Sequence, residues 1–292
     1  MYKILQKETV APQVDVMIVE APYIAKHHQA GNFVVLRMHE KGERIPLTIA
    51  DSDTEKGTIT LLFQKIGKTT EELGTLKAGK TLIDVAGPLG HATPIKKYGH
   101  CVLVGGGIGA ATLFPILKAL KARKNKITVI LGARTKELLV WEDRFREYAN
   151  EVLLTTDDGS SGRKGLVTEA LKEVIETSKV KIVLAVGPIR MMQAVSELTR
   201  PYEVKTFVSL NPVMVEGTGM CGACRVNIAG KTRFACIEGP EFDGHEVDFQ
   251  ELANRLSFYR DEEEQSMNAY KKKCLGKCNK KGVKGSRGQG VK

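Results

Sequence analysis

The 292-residue chain carries a formal net charge of +10, but nine cations and no acid fall in residues 271–292, leaving +1 for the rest. A near-neutral body lacks the electrostatic footprint of a nucleic-acid surface, and no apolar run is long enough to span a bilayer. The length allows two or three domains. Without a leader-like N-terminus, the six cysteines fit free or metal-bound thiols in a reducing cytoplasm better than a disulfide framework.

Residues 1–98 read as β. Short alternating runs at 14–19, 32–38, 58–64 and 81–85 are separated by turn residues such as Lys41-Gly42 and Lys56-Gly57. Such strands predict a small antiparallel barrel. Within it, Arg44-Ile45-Pro46-Leu47-Thr48 places a guanidinium and a hydroxyl four residues apart at the start of a strand. That pair can face one ligand, with the arginine suited to a phosphate, or it can be an ordinary strand start. Gly67-Lys68-Thr69-Thr70 precedes a helical run and has the makings of an anion seat.

Residues 99–210 change pattern. The apolar strand 101–104 runs into Gly105-Gly106-Gly107-Ile108-Gly109, and Ala110 begins a helix to about 123. Gly105, Gly107 and Ala110 fit a G-x-G-x-x-A dinucleotide fingerprint between strand and helix. Strands at 127–131, 152–155, 181–186 and 204–208 alternate with helices at 137–148, 167–177 and 190–198, predicting a parallel sheet covered on both faces. The acid that normally ends the second strand of a dinucleotide fold is replaced by Gly132-Ala133-Arg134. Asp157 and the pair Gly187-Pro188 lie beyond later strands, where such sheets bind ligands or simply turn.

Residues 211–260 hold the most specific signal. Cys221 and Cys224 stand two residues apart in a glycine-rich loop, and Cys236 follows a hairpin-like run at 226–234. Small residues between thiolates let backbone amides turn toward sulfur, as in iron–sulfur loops. A zinc half-site is the rival, but no second C-x-x-C or histidine pair accompanies it. Inert buried thiols are the third reading. If a cluster is bound, Glu216 is the best fourth ligand in the loop, although it can equally be a solvated glutamate. Residues 261–292 are Lys- and Gly-rich and predict a disordered tail, with Cys274 and Cys278 incidental to it.

Together, the barrel with Arg-x-Pro-Leu-Thr, the sheet with Gly-Gly-Gly-Ile-Gly and Gly-Pro, and the loop Glu216-Gly217-Thr218-Gly219-Met220-Cys221-Gly222-Ala223-Cys224 resemble the ferredoxin–NADP reductase superfamily. Within it, residues 1 to about 260 look like the dihydroorotate dehydrogenase electron-transfer subunit. They look closer still to the small subunit of NADH-dependent reduced ferredoxin:NADP oxidoreductase. The resemblance implies FAD on the barrel, with Arg44, Pro46, Leu47 and Thr48 at the flavin motif and Gly67, Lys68 and Thr70 at its pyrophosphate. It implies NAD(H) on Gly107, Ile108, Gly109, Gly187 and Pro188. Arg134 and Asp157 are further nucleotide candidates at the strand ends. It implies a [2Fe–2S] cluster on Cys221, Cys224 and Cys236. Glu216 would be the fourth ligand, where dihydroorotate relatives have cysteine and bifurcating relatives a carboxylate. The implied partner is a larger flavoprotein subunit with [4Fe–4S] clusters, forming a heterodimer that meets ferredoxin through the complex; neither nucleic acid nor membrane is expected. A dihydroorotate dehydrogenase partner subunit, or a redox-sensing module without turnover, are the alternatives.

Overall fold

A computed structural model describes residues 1–282, with the side chains of its last helix described as far as Cys274. The first seven strands are β1 (Tyr2–Ala11), β2 (Val14–Glu20), β3 (Phe33–Arg37), β4 (Ile45–Asp53), β5 (Thr58–Gln64), β6 (Thr81–Leu82) and β7 (Asp84–Leu89). They form one antiparallel sheet in the order β6-β1-β2-β5-β4-β3-β7. Its two edge strands are separated by a single residue, Ile83, which brings the edges together and nearly closes a barrel. Inward residues such as Met17, Leu36, Ile49, Leu61 and Phe63 fill the interior. Two short helices decorate it, α1 (Pro22–His27) and α2 (Lys68–Thr75). The first is absent from the sequence reading because its six residues are too few to show a period.

A bulge in β4 has consequences for the site. Ile49 pairs with Leu61 and Asp51 with Thr60, so two steps on β4 answer one on β5. The extra residue, Ala50, resets the alternation. Ile49 points into the barrel core, while Asp51 shares the outer side with Thr48 and Ala50.

The second sheet is built from β8 (His100–Gly106), β9 (Lys126–Ala133), β10 (Glu151–Thr156), β11 (Arg163–Lys164), β12 (Ile182–Val186) and β13 (Lys205–Ser209). All run parallel, in the order β11-β10-β9-β8-β12-β13. The helices α3 (Ala110–Ala122), α4 (Glu142–Tyr148), α5 (Val167–Thr177) and α6 (Ile189–Thr199) pack against it. Strand β8 is buried along its whole length, which explains the apolar run from Cys101 to Val104. The helix expected over 137–148 is instead a 3-10 turn at Lys136–Leu138 and the shorter α4, separated by Trp141 in a left-handed conformation.

The third region comprises β14 (Arg225–Ile228), β15 (Lys231–Phe234), α7 (Ala235–Glu238), β16 (Glu241–Asp243) and α8 (Phe249–Ser257). The expected hairpin is β14–β15. Strand β16 pairs antiparallel with β13 and extends the nucleotide sheet, so this region is welded to its neighbour rather than appended.

The tail departs from expectation. Residues 260–282 form a helix, α9 (Arg260–Gly282), where composition predicts disorder. Asp261, Glu262 and Glu263 occupy its first turn, the favourable end for acids. It also packs on α2. Residues 283–292 of the expected disordered segment lie outside the described residues, as does the side chain of Cys278.

The barrel also contains a buried ion triad. The Asp15 carboxylate meets Lys7 Nζ at 2.8 Å and Lys65 Nζ at 2.8 Å, and accepts a hydrogen bond from Thr9 at 2.8 Å. Burial pushes this carboxyl upward, but the Lys65, Lys7 and Thr9 donors outweigh it and hold it below its ordinary value. We expect Asp15→Asn to cost about 3 kcal/mol near neutrality, since two lysines then lose their shared anion. Because the folded-state value is depressed, this contribution is present above about pH 3.8 and disappears as pH falls. Urea denaturation of wild type and variant at neutral and strongly acidic pH checks it. A gap that does not close in acid contradicts the account.

Candidate functional site

A cleft of about 630 Å³ lies between barrel and parallel sheet. Its barrel wall includes Val14, Phe33, Pro46, Leu47, Thr48, Ala50, Leu62 and Gln64; its sheet wall includes Gly107, Ile108, Gly109, Thr112, Arg134, Asp157, Gly187 and Pro188. Strand β8 lies between β9 and β12, so strand order reverses here, and the cleft opens at the carboxyl ends where such sheets bind ligands.

Two glycine turns shape the sheet wall. Gly107 has φ +55°, and a β-carbon added there would meet nothing within 4 Å, so its backbone borders open cleft. Gly109 does the opposite job. A β-carbon on it would lie 2.7 Å from the Val186 carbonyl oxygen and 3.0 Å from Gly187 Cα. The glycine loop and the Gly187-Pro188 turn can therefore approach only because both lack side chains at the contact. A bare backbone edge at the start of α3 fits a pyrophosphate.

The structure gathers Pro46, Leu47, Thr48, Gly107, Ile108, Gly109, Arg134, Asp157, Gly187 and Pro188 into this cleft. It does not bring Arg44, Gly67, Lys68 or Thr70 to the same wall. Arg44 is exposed just ahead of β4. Its neighbour Glu43 accepts from Lys68 Nζ at 2.8 Å and from the Thr69 hydroxyl, and these donors, Lys68 foremost, hold the Glu43 carboxyl below its ordinary value. The Thr70 hydroxyl accepts from the Ile66 and Gly67 amides and caps α2. The Arg44 and Gly67–Thr70 segments thus share one barrel edge outside the central cleft. Sequence reasoning missed Phe33, Leu62, Gln64, Ser209, Asn211 and Met214 as lining residues. They sit in strands and a loop whose spacing carries no ligand signature.

The cysteine loop packs on the same barrel. Gly217, Gly219 and Gly222 have φ of +81°, +82° and +68°, conformations that L side chains rarely adopt. A β-carbon on Gly217 would lie 2.6 Å from Leu89 and 3.1 Å from Val35, so the loop rests against β7 and β3. Phe33, which lines the cleft, is paired with both Thr48 and Leu89.

Cys224 and Cys236 are buried with their sulfurs 3.1 Å apart. Burial, together with the adjacent Cys224 thiol, pushes the Cys236 thiol up to about 12, while the Gly219 backbone hydrogen bond acts in the opposite direction. Two buried thiols in contact, with an amide aimed at one of them, suit a thiophilic cation, whose charge reverses the burial penalty. Cys221 is exposed in the same loop. Glu216 is exposed, and its carboxylate accepts from Thr218 at 3.4 Å. Among the described residues, no group of three or more His, Cys, Asp or Glu is drawn into metal-binding geometry. The structure therefore closes the Cys224–Cys236 half of the expected donor set and leaves Cys221 and Glu216 on the outer arm of the loop.

Fold and site together define an NAD(P)H-dependent flavoprotein oxidoreductase of the ferredoxin–NADP reductase type, carrying an additional iron–sulfur domain. Residues 211–248 match the iron–sulfur cluster binding domain of dihydroorotate dehydrogenase B, and residues 103–197 match an oxidoreductase NAD-binding domain. The chain is 49% identical over 270 residues to a Thermotoga maritima homologue of the dihydroorotate dehydrogenase B (NAD+) electron transfer subunit, covering 92% of this chain and 95% of that one. It is 36% identical to the electron transfer subunit itself from Desulforamulus reducens, over 84% of this chain and 96% of that one. It superposes with a TM-score of 0.88 and 48% identity on a chain of the NADH-dependent reduced ferredoxin-NADP oxidoreductase structure, covering 92% and 98% of the two chains. This chain belongs to the family of dihydroorotate dehydrogenase B electron-transfer subunits and their homologues.

One buried acid behind the cleft is unexplained by sequence. Glu241 lies on β16 opposite the cleft residue Ser209; one carboxyl oxygen accepts from Thr93 at 2.8 Å and the other is buried without a partner. Burial pushes this carboxyl up to about 7, with the Thr93 hydroxyl acting in the opposite direction. A raised folded-state value means that the fold holds the proton more tightly than the unfolded chain. Stability therefore falls as pH rises from about 4.5 to about 7 and is insensitive to this group outside that window. We expect Glu241→Gln to remove that decline, measured by urea unfolding at about pH 5 and pH 8. An equal loss in both proteins refutes it.

Proposed function

We propose that this chain is the small electron-transfer subunit of an electron-bifurcating NADH-dependent reduced ferredoxin:NADP oxidoreductase. The observation that carries the reading is the shared barrel wall: Thr48 and Phe33 face the nucleotide cleft, while the adjacent Leu89 and Val35 bear the cysteine loop. Support also comes from likeness over nearly the whole of a chain of that oxidoreductase. The chemistry of the bound groups, FAD and a [2Fe–2S] cluster, is conversion between a hydride carrier and one-electron acceptors.

The protein's own part is positional. Pro46, Leu47 and Thr48 present an apolar strand edge and a hydroxyl to the flavin ring, with Arg44 and the start of α2 at its phosphates. Gly107, Ile108 and Gly109 offer backbone to the NADH pyrophosphate, and Gly187 and Pro188 border the nicotinamide end. Arg134 and Asp157 stand at the far strand ends, on the adenosine side. NADH is the preferred donor. Cys221, Cys224, Cys236 and Glu216 would hold the cluster, Cys224 and Cys236 from the buried half of the donor set and Cys221 and Glu216 from the outer arm of the loop. The second subunit is a larger flavoprotein with [4Fe–4S] clusters that meets ferredoxin, and the complex works in the cytoplasm. No helix among the described residues is long and apolar enough to cross a membrane.

A second reading, the electron-transfer subunit of NAD-dependent dihydroorotate dehydrogenase, is favoured by the family match of residues 211–248. Glu216 argues against it, because a carboxylate stands where those relatives have cysteine. An oxygen donor changes the cluster's electronic asymmetry and potential. We expect Glu216→Cys to keep the cluster, with a more ferredoxin-like paramagnetic resonance spectrum and an altered midpoint potential, while Glu216→Ala makes it labile. Identical spectra and potentials in wild type and Glu216→Cys would remove Glu216 from the ligand set.

A further inference from the structure

The outer side of β4 and the face of α3 that carries Ala111, Thr112 and Lys118 meet across the boundary between barrel and nucleotide sheet. The Thr112 hydroxyl donates to Thr48 at 3.3 Å. Ala50 and Ala111 pack in one small apolar cluster with Leu62 and Val140. Further along α3, the Asp51 carboxylate takes Lys118 Nζ at 3.0 Å, and from α4 it takes Arg144 at 2.5 Å, each oxygen engaging one cation. Arg144 is itself fixed between two rings, with its guanidinium carbon 4.1 Å from the Phe114 centroid and 4.3 Å from that of Trp141. Beneath the cluster, His28 bonds Ser52 at 2.8 Å, and burial pushes its imidazole down to about 4. It is therefore neutral near pH 7 and does not compete as a cation for Asp51.

An exposed ion pair would contribute little to stability. This one differs in geometry. The Asp51 side chain is only 19% exposed, and it reaches the boundary because the Ala50 bulge turns it outward. Its partners lie on α3 and α4, two of the four helices that pack on the nucleotide sheet. The strand that bears Thr48 and the helix that leaves the glycine loop are thus tied at both ends of their contact. Stacking holds the planar guanidinium in a single orientation, which a lysine in its place would not share.

We propose that Asp51 is a positioning residue that, through Lys118 and Arg144, fixes the distance between the flavin-facing strand and the nucleotide-facing helix during hydride transfer. The inference rests on the proposed reading in which NADH reduces a flavin on the barrel. Displacements of about 1 Å from a reactive geometry can cost about 100-fold in rate. Removing one charge should loosen the clamp without emptying either binding wall, so the limiting rate changes while nucleotide affinity is largely kept.

The test uses the full-length chain loaded with FAD and cluster, with Asp51→Asn as the first variant. Stopped-flow reduction by NADH should give a limiting rate lower by about tenfold, with an apparent dissociation constant within about threefold of wild type. An independent readout is available because Trp141 is the only tryptophan in the chain. Freeing Arg144 from its ring should shift Trp141 emission and raise its acrylamide quenching, with or without cofactors. Asp51→Glu should restore part of both signals. Lys118→Met, at a more exposed position, gives the same direction with a smaller effect, and it serves if Asp51→Asn does not fold. A limiting rate within about twofold of wild type in the folded variant overturns the proposal, as does an unchanged tryptophan signal. A wild-type chain that NADH cannot reduce refutes the assigned reaction instead, while the tryptophan readout still tests the clamp.

Discussion

The close approach of β4 to α3 is the contact on which the rest of this structure depends. Most of the barrel wall of the cleft is carried by β4 and its neighbours β3 and β5, and the centre of the sheet wall is the glycine loop feeding α3. Side-chain volume decides how near they come. Alanines at 50 and 111 allow the backbones to close, and threonines at 48 and 112 bridge the remaining gap. Larger residues there would force the two halves apart, in the way that overpacking displaces any close-packed interior.

The third region is tied to the nucleotide sheet by backbone pairing and to the barrel by close packing. Strand β16 completes the edge of the nucleotide sheet, and Gly217 of the cysteine loop lies on β3 and β7 of the barrel. The cysteine loop is therefore held by both larger domains at once. Left-handed glycines at 217, 219 and 222 permit the sharp reversals, and the Gly219 backbone bonds the Cys236 sulfur. This places a buried thiol pair close to the barrel strands that line the cleft, an arrangement suited to passing single electrons outward.

Much of this was legible in the sequence, for identifiable reasons. Alternation in the barrel strands, the continuous apolar run of β8 and the glycine loop each follow from one local rule, and each appears where expected. Spacing of Cys221, Cys224 and Cys236 pointed to a metal loop, although only Cys224 and Cys236 are in contact. What escaped were features set by tertiary context. The Ala50 bulge has no composition signature, so Asp51 could not be assigned to the outer side of its strand. Strand β16 has only three residues and exists because β13 offers it a free edge. Glu241 looks like any polar loop residue until Thr93 and the domain junction bury it. Helix α9 was obscured by its charge, because composition reports the absence of an apolar core and not whether a neighbouring helix such as α2 is present.

The central claim is that one scaffold receives electrons in pairs at the cleft and releases them singly at the cysteine loop. Anaerobic titration of the cofactor-loaded chain with NADH, followed by optical and electron paramagnetic resonance spectra, tests it most directly. The account predicts that NADH alone bleaches the flavin and also brings up the signal of the reduced cluster. A flavin that bleaches while a dithionite-reducible cluster stays oxidised under excess NADH would contradict it.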